Sequence, residues 1–176
     1  MTTSLSIYLR PISYCHFCGK RLIRKTVDGY ERLFCTACGI PIYQNPVPAT
    51  CVVVVEEENN LLLVKRSVEP RIGEWCLPGG FVELGEFPDK SALRELKEET
   101  GLSGSAIKLL GVSTNPSIQY HSILMIGYLI RRFSGTPVAG DDAAEVGWFP
   151  LNDLPEIAFD SHRRFVRQYR NMKHPA

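Results

Sequence analysis

The stretch Gly80-Phe-Val-Glu83-Leu-Gly-Glu86-Phe-Pro88-Asp-Lys90-Ser-Ala92-Leu93-Arg94-Glu95-Leu96-Lys97-Glu98-Glu99-Thr100-Gly101-Leu102 decides how this chain is read. Proline is at home in a first helical turn and glycine ends helices, so a helix is predicted from Pro88 to Thr100 with Gly101 as its stop. At 100° per residue, Glu95, Glu98 and Glu99 share a sector of about 100°. Ala92, Leu93 and Leu96 fill the adjacent sector and face the core, while Lys90 and Lys97 point to solvent. Carboxylates at i, i+3 and i+4 repel, weakening a helix by a few tenths of a kcal/mol per pair. Two readings account for the crowding. The oxygens hold a hard divalent cation, Mg²⁺ or Mn²⁺, or they form a solvated acidic face balanced by lysines. The stripe alone leaves both open.

Upstream, Cys51–Glu56 and Leu61–Arg66 are apolar runs joined through Asn59-Asn60 and read as a hairpin. Gly79-Gly80 breaks the chain after Trp75-Cys76-Leu77-Pro78. Downstream, strands are predicted at 106–113, 121–133 and 145–149, followed by a basic helix over 160–172. A helix between hairpins makes this module mixed α and β. The segment Pro41-Ile-Tyr43-Gln-Asn-Pro46-Val-Pro48 carries three prolines and marks a module boundary, so the expected domains are 1–45 and 46–176.

Four of the six cysteines lie in the first forty residues, as Cys15-His16-Phe17-Cys18-Gly and Cys35-Thr-Ala-Cys38-Gly. Each C-x2-C turn aims two sulfurs at one point, and sixteen intervening residues, with a turn at Asp28-Gly29, fit two knuckles on a hairpin. Thiolates are soft ligands suited to tetrahedral Zn²⁺, and a structural zinc ribbon is expected. Two disulfides are the alternative, disfavoured in a reducing compartment. Cys51 and Cys76 lie in apolar stretches and read as core thiols. Lys20, Arg21, Arg24, Lys25 and Arg32 give the ribbon positive charge, but with Tyr30 as the one aromatic counted beside them, a brace or dimer contact is the preferred reading. Nucleic acid is not expected as a partner.

The chain has 176 residues and a formal net charge of +1, with 44% hydrophobic and 22% charged residues, ordinary values for a soluble globular protein. The total conceals a division. Residues 1–45 carry net +4, residues 46–160 carry −8, and residues 161–176 carry +5. An acidic middle flanked by basic ends suits a site that gathers cations, with lysine and arginine near for phosphates. No run approaches the ~18 apolar residues of a membrane span. Met1–Arg10 lacks the features of a secretory leader, so a cytoplasmic location without a membrane partner is expected.

The spacing G-x5-E-x7-R-E-[apolar]-x-E-E-x-G-[apolar] over 80–102 resembles the Nudix hydrolase signature at every fixed position. Seven fixed identities coincide by chance on the order of once in 10⁹ windows. Lys65-Arg66, Gly73-Glu-Trp75 and Glu145-Val-Gly-Trp148-Phe149 resemble the strands around that signature. With the cysteine quartet and Tyr43-Gln-Asn-Pro46 ahead of it, the whole chain is similar to zinc-ribbon Nudix proteins. The resemblance implies an α+β, Nudix-type α/β/α sandwich with a mixed sheet, preceded by the ribbon. It implies hydrolysis of the pyrophosphate of a nucleoside diphosphate joined to another group, with Mg²⁺ or Mn²⁺ on Glu95, Glu98, Glu99 and the Gly80 carbonyl. Arg94 is expected to orient the glutamates through Glu86 or Glu83.

For the general base the resemblance offers Glu95 or an acid on a later loop, Asp142 ahead of Glu145. The substrate is a small dinucleotide-type molecule, FAD or ADP-ribose. Ser113–Ser122 lacks the tryptophan and second proline of the NADH-cleaving group, which argues against NADH. Arg66, Arg71 and His121 are candidates for phosphates. Tyr120, Phe81 and Trp75 are candidates for stacking a base, and each fits core packing equally well. A homodimer is expected by analogy.

Overall fold

The structure is a computed structural model that describes residues 12–57 and 59–173. The reading of Met1–Arg10 therefore lies outside the described residues. The described chain divides into two compact units. One holds the residues up to Pro46 together with Pro116–Ser122, and the other begins at Val47 and holds the remainder.

The first unit is built on a three-stranded antiparallel sheet of β1 (Ile23–Val27), β2 (Tyr30–Cys35) and β3 (Ile40–Ile42), in that order. The β1–β2 turn falls at Asp28-Gly29, both at positive φ, as an Asp-Gly hairpin requires. The sequence reading ended regular structure at Pro41, yet Pro41 lies within β3 opposite Phe34. The strand is an edge, where a missing N–H costs no ladder bond. Its small core is Cys15, Cys35 and Ile42, with Leu22, Leu33 and Ile40 packed around them.

The second unit carries two further sheets. One orders β4 (Val47–Val54), β8 (His121–Ser134) and β7 (Ser103–Ser117); the other orders β6 (Trp75–Cys76), β5 (Asn60–Arg66) and β9 (Ala143–Pro150). β4 runs parallel to β8, while β5 is antiparallel to both of its neighbours. The expected β4–β5 hairpin is corrected here. The two strands meet at a single bridge, Val55 to Leu61, and then diverge into different sheets. The cause is legible in their composition: Cys51–Val54 and Leu61–Leu63 are fully buried, so each strand has two apolar faces to cover.

Two helices cover them. Helix α1 (Pro88–Thr100) ends at Gly101, whose left-handed backbone returns its N–H to the Lys97 carbonyl. It packs Ala92 and Leu96 on Val52, Val54 and Leu62. Helix α2 (Asp160–Lys173) packs Phe165, Val166 and Tyr169 with Cys51, Val53, Leu61 and Leu63. Alternate side chains of β4 and β5 thus go to opposite helices, which is the α/β/α arrangement. At about 1.5–3 kcal/mol per fully buried large aliphatic side chain, these two clusters are the unit's main source of stability. Among the described residues no helix is long and apolar enough to cross a membrane.

One polar contact ties α2 to the chain before the glycine pair. His162, fully buried, accepts the Leu77 N–H at Nδ1 (3.1 Å) and meets the Phe159 ring edge-on. Burial, with Arg66 and Arg163 nearby, lowers its pKa from 6.5 to about 3. The imidazole is therefore neutral when folded, and folding stability is full above pH 6.5 and lost as pH falls toward 3. The slope is about 1.4 kcal/mol per pH unit below 6.5. Denaturation midpoints followed from pH 7 to 4 are expected to fall less steeply in His162→Asn, which keeps an acceptor and removes the titration.

Candidate functional site

The site begins with backbone. Pro78–Val82 runs along β4 through three bonds: Val52 N–H to the Pro78 carbonyl (2.9 Å), Thr50 N–H to the Gly80 carbonyl (2.8 Å), and Val82 N–H to the Pro48 carbonyl (3.1 Å). This contact leaves no room for a side chain at Gly79, and the Glu95 carboxylate fills the space beside Gly80. A Cβ on Gly79 would lie 2.7 Å from the Cys51 Cα, and one on Gly80 would lie 2.6 Å from Glu95 Oε2.

Helix α1 then delivers its carboxylates to this strap. Gly79 N–H donates to Glu99 Oε2 (2.9 Å), and Glu95 lies against Gly80. Arg94 gathers the rest. Its Nη1 donates to Glu95 Oε1 (2.8 Å) and Glu98 Oε2 (2.9 Å), and Nε and Nη2 grip the two oxygens of Glu86, both at 2.9 Å. The bidentate pairing holds the Glu86 carboxyl down at about 2. Glu83 enters through its backbone N–H, which donates to Glu86 Oε2 (3.2 Å), while Arg94 itself grips Glu86. Nη2 also donates to the Phe81 carbonyl (3.1 Å).

Burial sets the electrostatics. Glu99 is 4% exposed, and burial raises its carboxyl to about 8 although the Gly79 N–H opposes the shift; Glu95 and Asp142 add repulsion. Burial also raises Glu95, with Arg94 working against it and Glu98 and Asp141 adding to it. The cluster concentrates carboxyl groups, with Arg94 bonded to Glu95 and Glu98 and the charge of Arg66 acting on Glu99. Such a donor set suits Mg²⁺ or Mn²⁺, since hard oxygens suit those ions.

The remaining predicted residues fall in several places. Asp142 is exposed on the loop before β9, close enough for its charge to act on Glu99. Glu145 is opposite Lys65 on β9 and pairs with it (2.8 Å), in the row of Trp75; Cys76, whose thiol feels Glu99, is in the adjacent row on the other face. The Gly80 carbonyl accepts the Thr50 N–H and keeps one lone pair for another partner. Arg66 is committed to the carbonyls of Pro70 (2.7 Å), Val68 and Glu69 (both 3.3 Å), and Arg71 to Glu74 (3.2 Å). Tyr120 and His121 belong to the 116–122 segment of the first unit, whereas the glutamates belong to the second. Trp75 packs edge-on to Phe149 at 4.8 Å, within the α2-side core.

Ser91 and His162 escape the sequence reading, and Asp141 enters it only as part of the loop in which Asp142 is preferred. Asp141 adds charge beside Glu95. Ser91 is fully buried and links Thr50 Oγ1 (3.3 Å) to the Phe81 carbonyl (3.3 Å), pinning the strap to α1. His162 braces Leu77. A serine in a first helical turn and a histidine near a helix start have ordinary capping explanations, so their types gave no distinguishing signal.

In the first unit, Cys15, Cys18, Cys35 and Cys38 bring their sulfurs within 4.8 Å of one another, with Cys18–Cys35 at 3.5 Å and Cys15–Cys38 at 4.0 Å. Tetrahedral Zn²⁺ with ~2.3 Å bonds sets its sulfurs about 3.8 Å apart, so the quartet can hold one. All four are free thiols, and the Cys38 N–H donating to Cys35 Sγ lowers that thiol to about 7. Cys51 and Cys76 are buried thiols of the other unit, and burial raises Cys76 to about 12.

A helix carrying three carboxylates against a glycine strap, in an α/β/α sandwich, defines a hydrolase of the kind the sequence resembles. The NUDIX domain profile matches residues 45–169, and the chain belongs to the Nudix family. The ADP-ribose pyrophosphatase of Methanocaldococcus jannaschii is 40% identical over 121 residues, 68% of this chain and 71% of that one. The NAD-capped RNA hydrolase NudC of Pseudomonas aeruginosa is 29% identical over 157 residues, 88% of this chain; the match spans about half (54%) of that relative's length. Among solved structures, a NUDIX hydrolase from Nitrosomonas europaea superposes with a TM-score of 0.71 at 25% identity, covering 93% of this chain and 94% of that one.

A raised carboxyl pKa places the stability of the ion-free protein at low pH: fully present below about 4.5 and lost as pH climbs through about 8. Glu99→Gln keeps an acceptor for the Gly79 N–H and removes that penalty. Its melting midpoint in chelator is expected to exceed wild type at pH 8.5 by the equivalent of a few kcal/mol. The two proteins are expected to melt alike at pH 4. Equal midpoints at both pH values would show that Glu99 is not charged in a buried site.

Proposed function

We propose that this chain is a divalent-metal-dependent hydrolase of the pyrophosphate in a nucleoside diphosphate joined to another group, with ADP-ribose the first substrate and FAD the second. One observation carries the reading: Glu95 and Glu98 share one guanidinium edge beside Gly80, while Glu99 is tied to Gly79. Glu95, Glu98, Glu99 and the Gly80 carbonyl would hold Mg²⁺ or Mn²⁺, which would supply neutralisation of the anhydride's oxygens and a lowered pKa for a bound water. Arg94 keeps the carboxylates convergent and limits their mutual repulsion. Glu95 accepts the proton of the attacking water, or Asp142 does so. The Lys65 pairing of Glu145 favours Asp142 over it. ADP-ribose leads because the 40% identical relative carries its name.

A second reading, hydrolysis of a nucleotide-capped RNA, is supported by the match to a relative named for NAD-capped RNA, which at 88% of the chain must extend into the cysteine module. That module is taken as a zinc ribbon on Cys15, Cys18, Cys35 and Cys38.

The test is a hydrolysis panel of ADP-ribose, FAD, NADH, diadenosine polyphosphates and NAD-capped RNA with Mg²⁺ and Mn²⁺. Water attack on ADP-ribose is expected to release AMP and ribose 5-phosphate. Glu98→Gln is expected to fold normally and lose at least about 10²-fold in kcat, the scale of losing one electrostatic partner in a water-excluded site. Substantial hydrolysis by that variant in saturating Mg²⁺ rejects the assignment, and inactivity of the wild type on the whole panel rejects the reading.

A further inference from the structure

The β1–β3 sheet has two unlike faces. On one face Leu33 and Ile42 pack with the cysteine core, and Arg24, exposed in the same row, pairs with Glu31 at 2.8 Å. The other face sets Ile23, Phe34 and Pro41 abreast, then Lys25 and Arg32, then Val27 and Tyr30. Tyr43, just beyond β3, reaches the same Arg32. The guanidinium sits 5.2 Å from the Tyr30 ring centre and 4.9 Å from that of Tyr43, and Lys25 Nζ is 4.3 Å from the Phe34 ring. Tyr30 is 66% exposed, Tyr43 54% and Ile23 47%. Among the described residues neither Lys25 nor Arg32 has an ion-pair partner, and Arg32 Nε is buried with no hydrogen-bond partner.

An open sheet face is ordinarily polar, and cations on it are ordinarily paired or solvated. Here apolar rings are open to solvent and the cations between them lie on those rings without an acidic partner. The two features together match one kind of ligand. A single-stranded polynucleotide offers bases to stack on aromatic rings and phosphates to meet cations, a combination common on sheet surfaces. A duplex hides its base faces, and an acidic peptide has no use for the flat rings. The net +4 carried by residues 1–45 agrees in sign.

We propose that the open face of the β1–β3 sheet, centred on Arg32 between Tyr30 and Tyr43, binds a single-stranded polynucleotide. Tyr30 and Tyr43 stack bases, and Lys25 and Arg32 meet the backbone. The sequence reading takes Tyr30 as the one aromatic beside these cations; the register brings Phe34 and Tyr43 to the same face. The inference does not depend on the hydrolytic reading, since a 5′-hydroxyl strand carries no pyrophosphate to cleave.

The test is fluorescence anisotropy of the full chain, as purified, with a labelled twelve-nucleotide 5′-hydroxyl RNA and the same sequence as DNA. Binding to either strand is expected, weakening linearly with salt on logarithmic axes. Tyr30→Ser and Tyr43→Ser are each expected to weaken it at least about fivefold, the scale of one lost base stack, whereas Tyr43→Phe retains it. Lys25→Ser is expected to reduce the salt slope by about one. Arg164→Ser with Arg167→Ser, on the exposed side of α2, is expected to bind as wild type. Melting curves show which variants are folded, and Tyr43→Phe against Tyr43→Ser decides the matter if one of the others is not. The proposal is overturned by no binding of either strand, by equal binding of both serine variants, by loss of binding in the α2 variant, or by polyglutamate competing as well as unlabelled strand.

Discussion

The strap of Pro78–Val82 against β4 is the constraint on which the rest of the second unit depends. Three backbone bonds fix it, its closeness requires that residue 79 lack a side chain, and the space beside Gly80 is taken by the Glu95 carboxylate. Once it is fixed, the Gly79 N–H becomes the anchor of Glu99 and Gly80 becomes the floor beneath Glu95. Helix α1 is held in register with it twice, by Ala92 and Leu96 in the core and by Ser91 bridging Thr50 to the Phe81 carbonyl. From the other side of the sandwich, His162 of α2 holds Leu77 two residues ahead of Gly79. Apolar burial on both faces therefore aims polar groups at one spot.

That spot concentrates charge the fold would otherwise disperse. Glu99 is buried where ionisation is penalised, and Glu95 is partly so, with Asp141 and Asp142 adding repulsion from the next loop. A single guanidinium offsets part of this by bonding three carboxylates at once. An arrangement of this kind is unfavourable for stability and favourable for attracting a cation, the usual compromise at a site whose work is electrostatic. The net charge of +1 concealed it, because two basic ends cancel the acidic middle.

Much of this was legible in the sequence because spacing carries it. The helix from Pro88 to Thr100, its glycine stop, the Asp28-Gly29 turn and the cysteine quartet all follow from local rules. Pairing between distant strands does not. Cys51–Glu56 and Leu61–Arg66 looked like a hairpin, but apolar character on both faces sends each strand to its own sheet. The prolines of 41–48 gave no sign that Pro41 closes the first sheet, because a proline's place on an edge strand is visible only once the sheet exists. Asp141, Ser91 and His162 matter through what folding brings beside them. The aromatic face of the first unit needed the β1–β3 register to bring Phe34 and Tyr43 beside Arg32.

The central claim is that the strap places the glutamates for hydrolysis, and Gly80→Ala tests it most directly. The added methyl enters the space of the Glu95 carboxylate and leaves the chemical groups of the site in place. Release of AMP from ADP-ribose in Mg²⁺ is the measurement, beside a melting curve for each protein. The account predicts turnover by the wild type and a loss of at least about 10²-fold in Gly80→Ala, since displacing reacting groups by about 1 Å costs on that order. Equal turnover by the two proteins would contradict it.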